Sequence, residues 1–237
     1  MIYEVFHDDS RKMIASETLE QDGVFVANNI VPKTAISQLY AEFDAVAHDR
    51  AGARRFQHSD GVAELISARG ALGTIATELA GRPARPVRVL LFDKTPQSNW
   101  SVPWHQDRTV AVKQRIDVEG YEHWSEKDGV PHVEPPVAIL ETMLTLRIFV
   151  DDCDESNGPL KIALGSHRRG KVSASEIAGI VRRASIFVGT GVGGDLLIMK
   201  TLGIHCSGRA ISPRRRRVLH VDYAAVDLPS PLEWALA

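Results

Sequence analysis

Apolar positions along this chain change their spacing near residue 86, which divides it into a helical part and a strand-rich part. Ahead of that point Ala35, Leu39, Phe43 and Val46 recur at about one helical turn. The stripe predicts a core-facing helix that opens after Val31-Pro32-Lys33 and runs to roughly His48. Leu72, Ile75, Ala76 and Leu79 mark a second helix over 71–80, stopped by Gly81 and Pro83. Residues 1–25 carry scattered charges and no such stripe. They end in Asp22-Gly23-Val24-Phe25-Val26, a turn signal followed by a short apolar strand.

Beyond residue 86 the texture is that of strands. Residues 87–92 are nearly continuously apolar, which predicts a strand buried on both faces. Further strands are expected at 143–150, 160–163, 185–188, 195–199 and 218–223, separated by glycine turns. The acidic segment 151–159, with Asn157-Gly158, reads as one of these turns. A short helix is expected at 174–183, with Ser175 as a candidate cap. Residues 116–139 are polar, contain Pro and Gly, and read as a long loop; Tyr121 and Trp124 inside it favour a lid or pocket wall. Helices followed by many short strands predict a mainly β fold, a sandwich or barrel core with flanking helices. No linker interrupts the chain, so 1–237 is expected to form a single domain, with a helical buttress over about 1–85 and the core over about 86–224.

Composition narrows the functional classes. The 237 residues are 44% hydrophobic and 24% charged, ordinary for one large globular domain. A net charge of −2 provides no global attraction for nucleic acid or an anionic membrane, and the run Arg214 to Arg217 is a local exception. The two cysteines, Cys153 and Cys206, form no C-x-x-C pair. Together with an N-terminus that lacks a signal-peptide layout, they predict a reducing, cytoplasmic setting. No apolar stretch approaches the ~20 residues of a membrane span.

The candidate chemistry centres on Pro103-Trp104-His105-Gln106-Asp107. On an extended segment, side chains two apart share a face, so His105 and Asp107 would point together. With His205, in Leu202-Gly203-Ile204-His205, they would complete a 2-His-1-carboxylate set of the kind that holds non-haem Fe(II). The other histidines are weaker candidates. His58 sits in a polar stretch and reads as a solvated loop residue, and His167 belongs to a Gly165-Ser166-His167 turn. His220, on the final strand, could line a pocket or pack. Arg147 is the odd residue in an apolar strand. If buried it needs an anion, which cosubstrate, substrate or the acidic turn could each supply.

These motifs and their order resemble the phytanoyl-CoA dioxygenase family of Fe(II)- and 2-oxoglutarate-dependent oxygenases. The residues that carry the resemblance are Trp104-His105-Gln106-Asp107, the run from Asp151 to Leu160, Gly165-Ser166-His167, His205-Cys206-Ser207-Gly208 and a basic residue before Tyr223-Ala224. The resemblance implies a double-stranded β-helix, a cupin-like jelly roll, with His105, Asp107 and His205 holding Fe(II). It implies 2-oxoglutarate and O2 as cosubstrates, and succinate and CO2 as coproducts of hydroxylation of an unactivated C–H bond in a small-molecule metabolite. Arg216 lies at the family's spacing for the arginine that grips the far carboxylate of 2-oxoglutarate, while Ser207 and Lys94 match positions beside it. Asp107 argues against halogenation, since related halogenases lack that ligand. Tyr121, His123, Trp124 and Lys127, with His220, are candidates for substrate contact. Two other classes fit the residues: a cupin-like metalloenzyme that does not use 2-oxoglutarate, or a non-catalytic binding member.

Overall fold

A computed structural model describes residues 9–45, 52–54, 58–212 and 214–236. The strands are β1 (Val24–Ala27), β2 (Ala53–Arg54), β3 (Arg85–Lys94), β4 (Val102–His105), β5 (Val110–Ala111), β6 (Glu122–Lys127) and β7 (Val130–Glu134). They continue as β8 (Leu144–Phe149), β9 (Leu160–Ala163), β10 (Ile186–Gly189), β11 (Leu196–Lys200), β12 (His205–Ser207) and β13 (Arg216–Ala224). The helices are α1 (Asp9–Gln21), α2 (Lys33–Asp44), α3 (Asp60–Ile66), α4 (Ala71–Ala80), α5 (Val137–Glu141) and α6 (Ala174–Arg183).

The strands form a six-stranded sheet in the order β1-β11-β8-β13-β3-β2, a four-stranded sheet β10-β9-β12-β4, and a small sheet β5-β7-β6, with all neighbours antiparallel. The two larger sheets line a common cavity, the arrangement of a double-stranded β-helix. Alternation along the strands divides the large sheet into two different faces. Val89 and Leu91 of β3, Leu146 and Ile148 of β8, and Leu219 and Val221 of β13 pack with Leu39, Phe43, Leu72 and Ile75 of the helices. Arg88, Leu90 and Phe92, Arg147, and Arg216 and His220 point from the same strands into the cavity. β3 is thus buried on both faces, as its apolar run predicts, but one face carries polar chemistry.

The N-terminal segment does more than buttress. It contributes β1 and β2, the two edge strands of the large sheet, so the helical and β parts interlock. α1 and α3 have no counterpart among the predicted elements. α1 buries Ala15 and Leu19 while Met13 and Ile14 are exposed, so its apolar residues mark no clean face. The expected extension of α2 to about His48 lies outside the described residues. Ser173, rather than Ser175, stands at the N-cap of α6, where Glu176 accepts its backbone N–H at 3.2 Å.

Residues 116–139 are not a structureless loop. They fold into the β6–β7 hairpin and α5, and Tyr121 is buried in a second core with Val133, Leu140, Leu228 and Trp234. At the opposite side of the large sheet, Tyr223 donates its hydroxyl to the Ile66 carbonyl at 2.6 Å in a fully buried setting, tying β13 to the end of α3. Tyr223→Phe strands that carbonyl. The expected loss is about 1–3 kcal/mol of unfolding free energy, measurable as a fall in Tm of roughly 2–4 °C per kcal/mol.

Candidate metal centre and cofactor cleft

His105 ends β4 and pairs across the sheet with His205, which opens β12. Their rings lie 4.3 Å apart between centroids. Asp107 follows on the same side, with Oδ1 3.8 Å from His105 Nε2. One ligand atom from each of the three residues lies within 4.8 Å of the others, a spacing that a single metal ion could bridge.

Local hydrogen bonds set the direction of both imidazoles. His105 Nδ1 is 2.9 Å from the Pro103 carbonyl and His205 Nδ1 is 2.8 Å from the Gly203 carbonyl. A carbonyl can only accept, so each Nδ1 carries the proton and each Nε2 keeps its lone pair for the centre. Between the two N-terminal ligands, Gln106 points the other way. Its amide donates to Leu202 and Gly170 carbonyls at 2.7 and 2.9 Å, and its oxygen accepts from the Val172 N–H at 2.8 Å. These three bonds pin the peptide on which His105 and Asp107 sit.

Behind Asp107 lies a buried ionic network. Arg88 donates to Asp107 Oδ2 at 2.9 Å through Nη2 and to Asp222 through Nε. Asp222 also accepts from Thr145 Oγ1 at 2.7 Å and bonds His220 Nε2 at 3.0 Å. His220 Nδ1 lies 2.7 Å from Arg147 Nη1. Because an arginine only donates, His220 is fixed as the Nε2–H tautomer. Burial resists ionisation of Asp107, but Arg88 and the surrounding histidines outweigh it and hold its carboxyl far below the usual range. Burial drives His205 down to about 4 and lowers His220, so both are neutral near pH 7.

The other end of the cavity is cationic. Lys94 closes β3 opposite Arg216, which opens β13. Lys94 Nζ donates to the Gly208 carbonyl at 2.6 Å and lies 3.4 Å from Ser207 Oγ, while Ser207 donates to the Gly158 carbonyl at 3.0 Å. Arg216 donates through Nη1 to the same Gly158 carbonyl, and its buried Nε has no partner among the described residues. Gly158 is required here. Its φ of +63° is left-handed, and a Cβ would come within 2.7 Å of the Gly208 carbonyl and 3.0 Å of Lys94 Nζ. The neighbouring arginines go elsewhere: Arg214 pairs with Asp154, Arg215 with Asp93 and Asp44, and Arg217 with Asp151. Arg216 alone of the four turns into the cavity, which excludes a uniformly solvated basic strand end.

A family model described as phytanoyl-CoA dioxygenase matches residues 19–218. This chain belongs to the phytanoyl-CoA dioxygenase family. Among solved structures, AviO1 from Streptomyces viridochromogenes Tue57 is 21% identical, with a TM-score of 0.65 over 92% of this chain and 98% of its own. The non-heme alpha ketoglutarate dependent carbocyclase SnoK from nogalamycin biosynthesis is 15% identical, with a TM-score of 0.67 over 90% of this chain and 84% of its own. EctD from S. alaskensis, solved with 2-oxoglutarate and 5-hydroxyectoine, is 20% identical, with a TM-score of 0.67 over 94% of this chain and 82% of its own. These likenesses confirm the jelly-roll fold. No curated protein matches the sequence.

In this member of the phytanoyl-CoA dioxygenase family the cavity encloses about 330 Å³. It gathers His105, Asp107, His205, Ser207, Arg147, Arg216 and His220, all named from the sequence, with Lys94 immediately behind. Two expected substrate residues do not reach it. Tyr121 is committed to the second core, and Trp124 packs against that core with Arg115 over its ring at 5.4 Å. His123 is exposed, so of the four lid candidates Lys127 alone lines the cavity. His58 is a further correction: its side chain is buried against Glu42 at 3.7 Å rather than solvated. Sequence reasoning missed Arg88 and Asp222. Their signal was a lone charge in each of two otherwise apolar strands. No helix among the described residues is long and apolar enough to cross a membrane.

Proposed function

We propose that the chain is an Fe(II)- and 2-oxoglutarate-dependent oxygenase that oxidises an unactivated C–H bond of a small-molecule substrate and forms succinate and CO2. The observation that carries this reading is the pairing, in one cavity, of the convergent His105–Asp107–His205 set with the inward Arg216 and its unpartnered Nε. The donor set fits the metal: two imidazoles, each with Nδ1 turned to a backbone carbonyl, and one carboxylate are the ligands that non-haem Fe(II) takes while keeping positions open. The cationic end fits the cosubstrate, because a planar guanidinium receives a carboxylate through two parallel hydrogen bonds.

In this reading His105, Asp107 and His205 hold the iron, and Arg88 and Gln106 keep the ligand segment in place. Arg216, Lys94 and Ser207 bind the far carboxylate of 2-oxoglutarate. Iron, 2-oxoglutarate and O2 together supply the oxidising power for C–H cleavage. Leu90, Phe92, Trp100, Val102 and Leu160 wall the site and limit water. Hydroxylation is the proposed outcome, since Asp107 fills the carboxylate position that a halide would need. Ring closure remains compatible with the same centre, as SnoK is described as a carbocyclase. The test is succinate release from 2-oxoglutarate by protein loaded anaerobically with Fe(II) and then exposed to O2. No succinate above a metal-free control would refute it.

The site has a built-in pH dependence. Burial, reinforced by Arg216, lowers Lys94 to about 8. Above that pH the free protein loses one of the charges that attract the carboxylate. The affinity for 2-oxoglutarate should therefore be flat at lower pH and fall as pH rises through about 8. Titrations at several pH values check this, and Lys94→Met should flatten the slope.

A further inference from the structure

Arg147 is 8% exposed and lines the cavity, yet among the described residues its side chain hydrogen-bonds only from Nη1 to His220. It makes no ion pair among the described residues. The acidic turn, once a candidate partner, is engaged elsewhere: Asp151 with Arg217, Asp154 with Arg214, and Asp152 with the Gly193 N–H. Asp222, the acid on the same network, is saturated by Arg88, Thr145 and His220. The Arg147 cation instead stands 5.3 Å over the Phe92 ring. Burial and the neighbouring positive charge of Arg216 push it down to about 10. A buried guanidinium without an anion is costly, and such groups are kept where a ligand supplies one.

The charge balance of the whole cavity leads to the same place. Arg88, Lys94, Lys127, Arg147 and Arg216 face two carboxylates among the described residues, Asp107 and Asp222. A divalent metal and a dianionic cosubstrate cancel each other, so the excess of positive charge persists when both are bound. Arg216 and Lys94 are held on the Gly158 and Gly208 carbonyls, whereas Arg147 is held on His220. On β13 the Arg147 partner, His220, is four residues from Arg216, roughly 13 Å along an extended strand.

We propose that the substrate carries an anionic group, a carboxylate or a phosphate, and that Arg147 is the residue that receives it. The inference rests on the oxygenase reading above. Phe92 and Trp100 in the cavity wall make flat aromatic anions suitable probes.

The experiment uses the full chain saturated anaerobically with Mn(II) and 2-oxoglutarate, titrated calorimetrically with benzoate, phenyl phosphate and neutral benzamide. At least one anion should bind about tenfold or more tightly than benzamide, as expected for a charge-assisted pair. Which anion is preferred separates a carboxylate substrate from a phosphate one. Arg147→Met should remove that preference and leave the 2-oxoglutarate affinity within a few-fold, and Arg147→Lys should retain part of it. Equal or no binding of the three probes by the wild-type complex overturns the proposal. So does a tenfold or larger loss of 2-oxoglutarate affinity in Arg147→Met with the anion preference intact, which would assign Arg147 to the cosubstrate. Failure of the wild-type protein to bind 2-oxoglutarate with Mn(II) would instead mark failure of the oxygenase reading itself. Should Arg147→Met not fold, the wild-type preference and the Arg147→Lys variant still decide.

Discussion

His205→Ala should abolish metal binding while leaving the protein folded. His205 is one of three convergent ligands, and its Nε2 has no role other than facing the centre, since Nδ1 is held by Gly203. Loss of an outer-sphere partner already costs ~10–100-fold in metal affinity, so removal of a ligand should exceed about 100-fold. The imidazole lies on the cavity wall rather than in the packed face of the sheet, so the truncation creates little new void. Calorimetric titration with Mn(II), alongside an unchanged circular dichroism spectrum, checks both halves of the expectation. Asp107→Ala should lose metal equally but behave differently in stability. It strips a counter-charge from the buried Arg88 and should lower Tm, whereas His205→Ala should not.

Arg216→Ala has the second largest expected effect, and it falls on the cosubstrate alone. A buried, charge-assisted pair with a carboxylate contributes roughly 1.5–3 kcal/mol, so 2-oxoglutarate should bind about 10–100-fold more weakly, with metal affinity unaltered. The apo protein should hardly notice. Arg216 and Lys94 are like charges in one buried corner, and removing one relieves repulsion in the absence of ligand. The stabilisation of wild-type protein by 2-oxoglutarate should therefore shrink in the variant, without a comparable fall in the apo Tm. Arg214→Ala is the matched control. Its side chain sits at the surface with Asp154, and its removal should change neither quantity.

The sequence made the site more legible than its surroundings, for physical reasons. His105, Asp107 and His205 had to converge once the H-x-D segment and β12 became neighbours, and the spacing within each motif carries that information. Strand alternation put Arg214 and Arg216 on one face, and the spacing from His205 in the family that the chain resembles singled out Arg216. The support network was harder to see. Arg88 sits among valines and leucines, and its strand reads as uniformly buried whether its partner is a carboxylate or nothing. The pairing with Asp222 spans β3 and β13, a contact that no local pattern encodes. The 116–139 segment misled for a related reason. β6 is polar because it lies exposed in a small sheet, so its alternation carries no apolar signal, and Tyr121 packs into a core built mostly from distant residues. α1 escaped because its apolar residues are divided between buried and exposed positions.

The central claim is that one cavity holds metal and 2-oxoglutarate together, each on residues identified here. The most direct measurement is an anaerobic calorimetric titration of 2-oxoglutarate into the wild-type protein, with and without Fe(II), and into His205→Ala and Arg216→Ala. The account predicts stoichiometric binding that depends on the metal, is lost in His205→Ala and is weakened in Arg216→Ala. Binding of equal strength without metal, or undiminished in both variants, would contradict it.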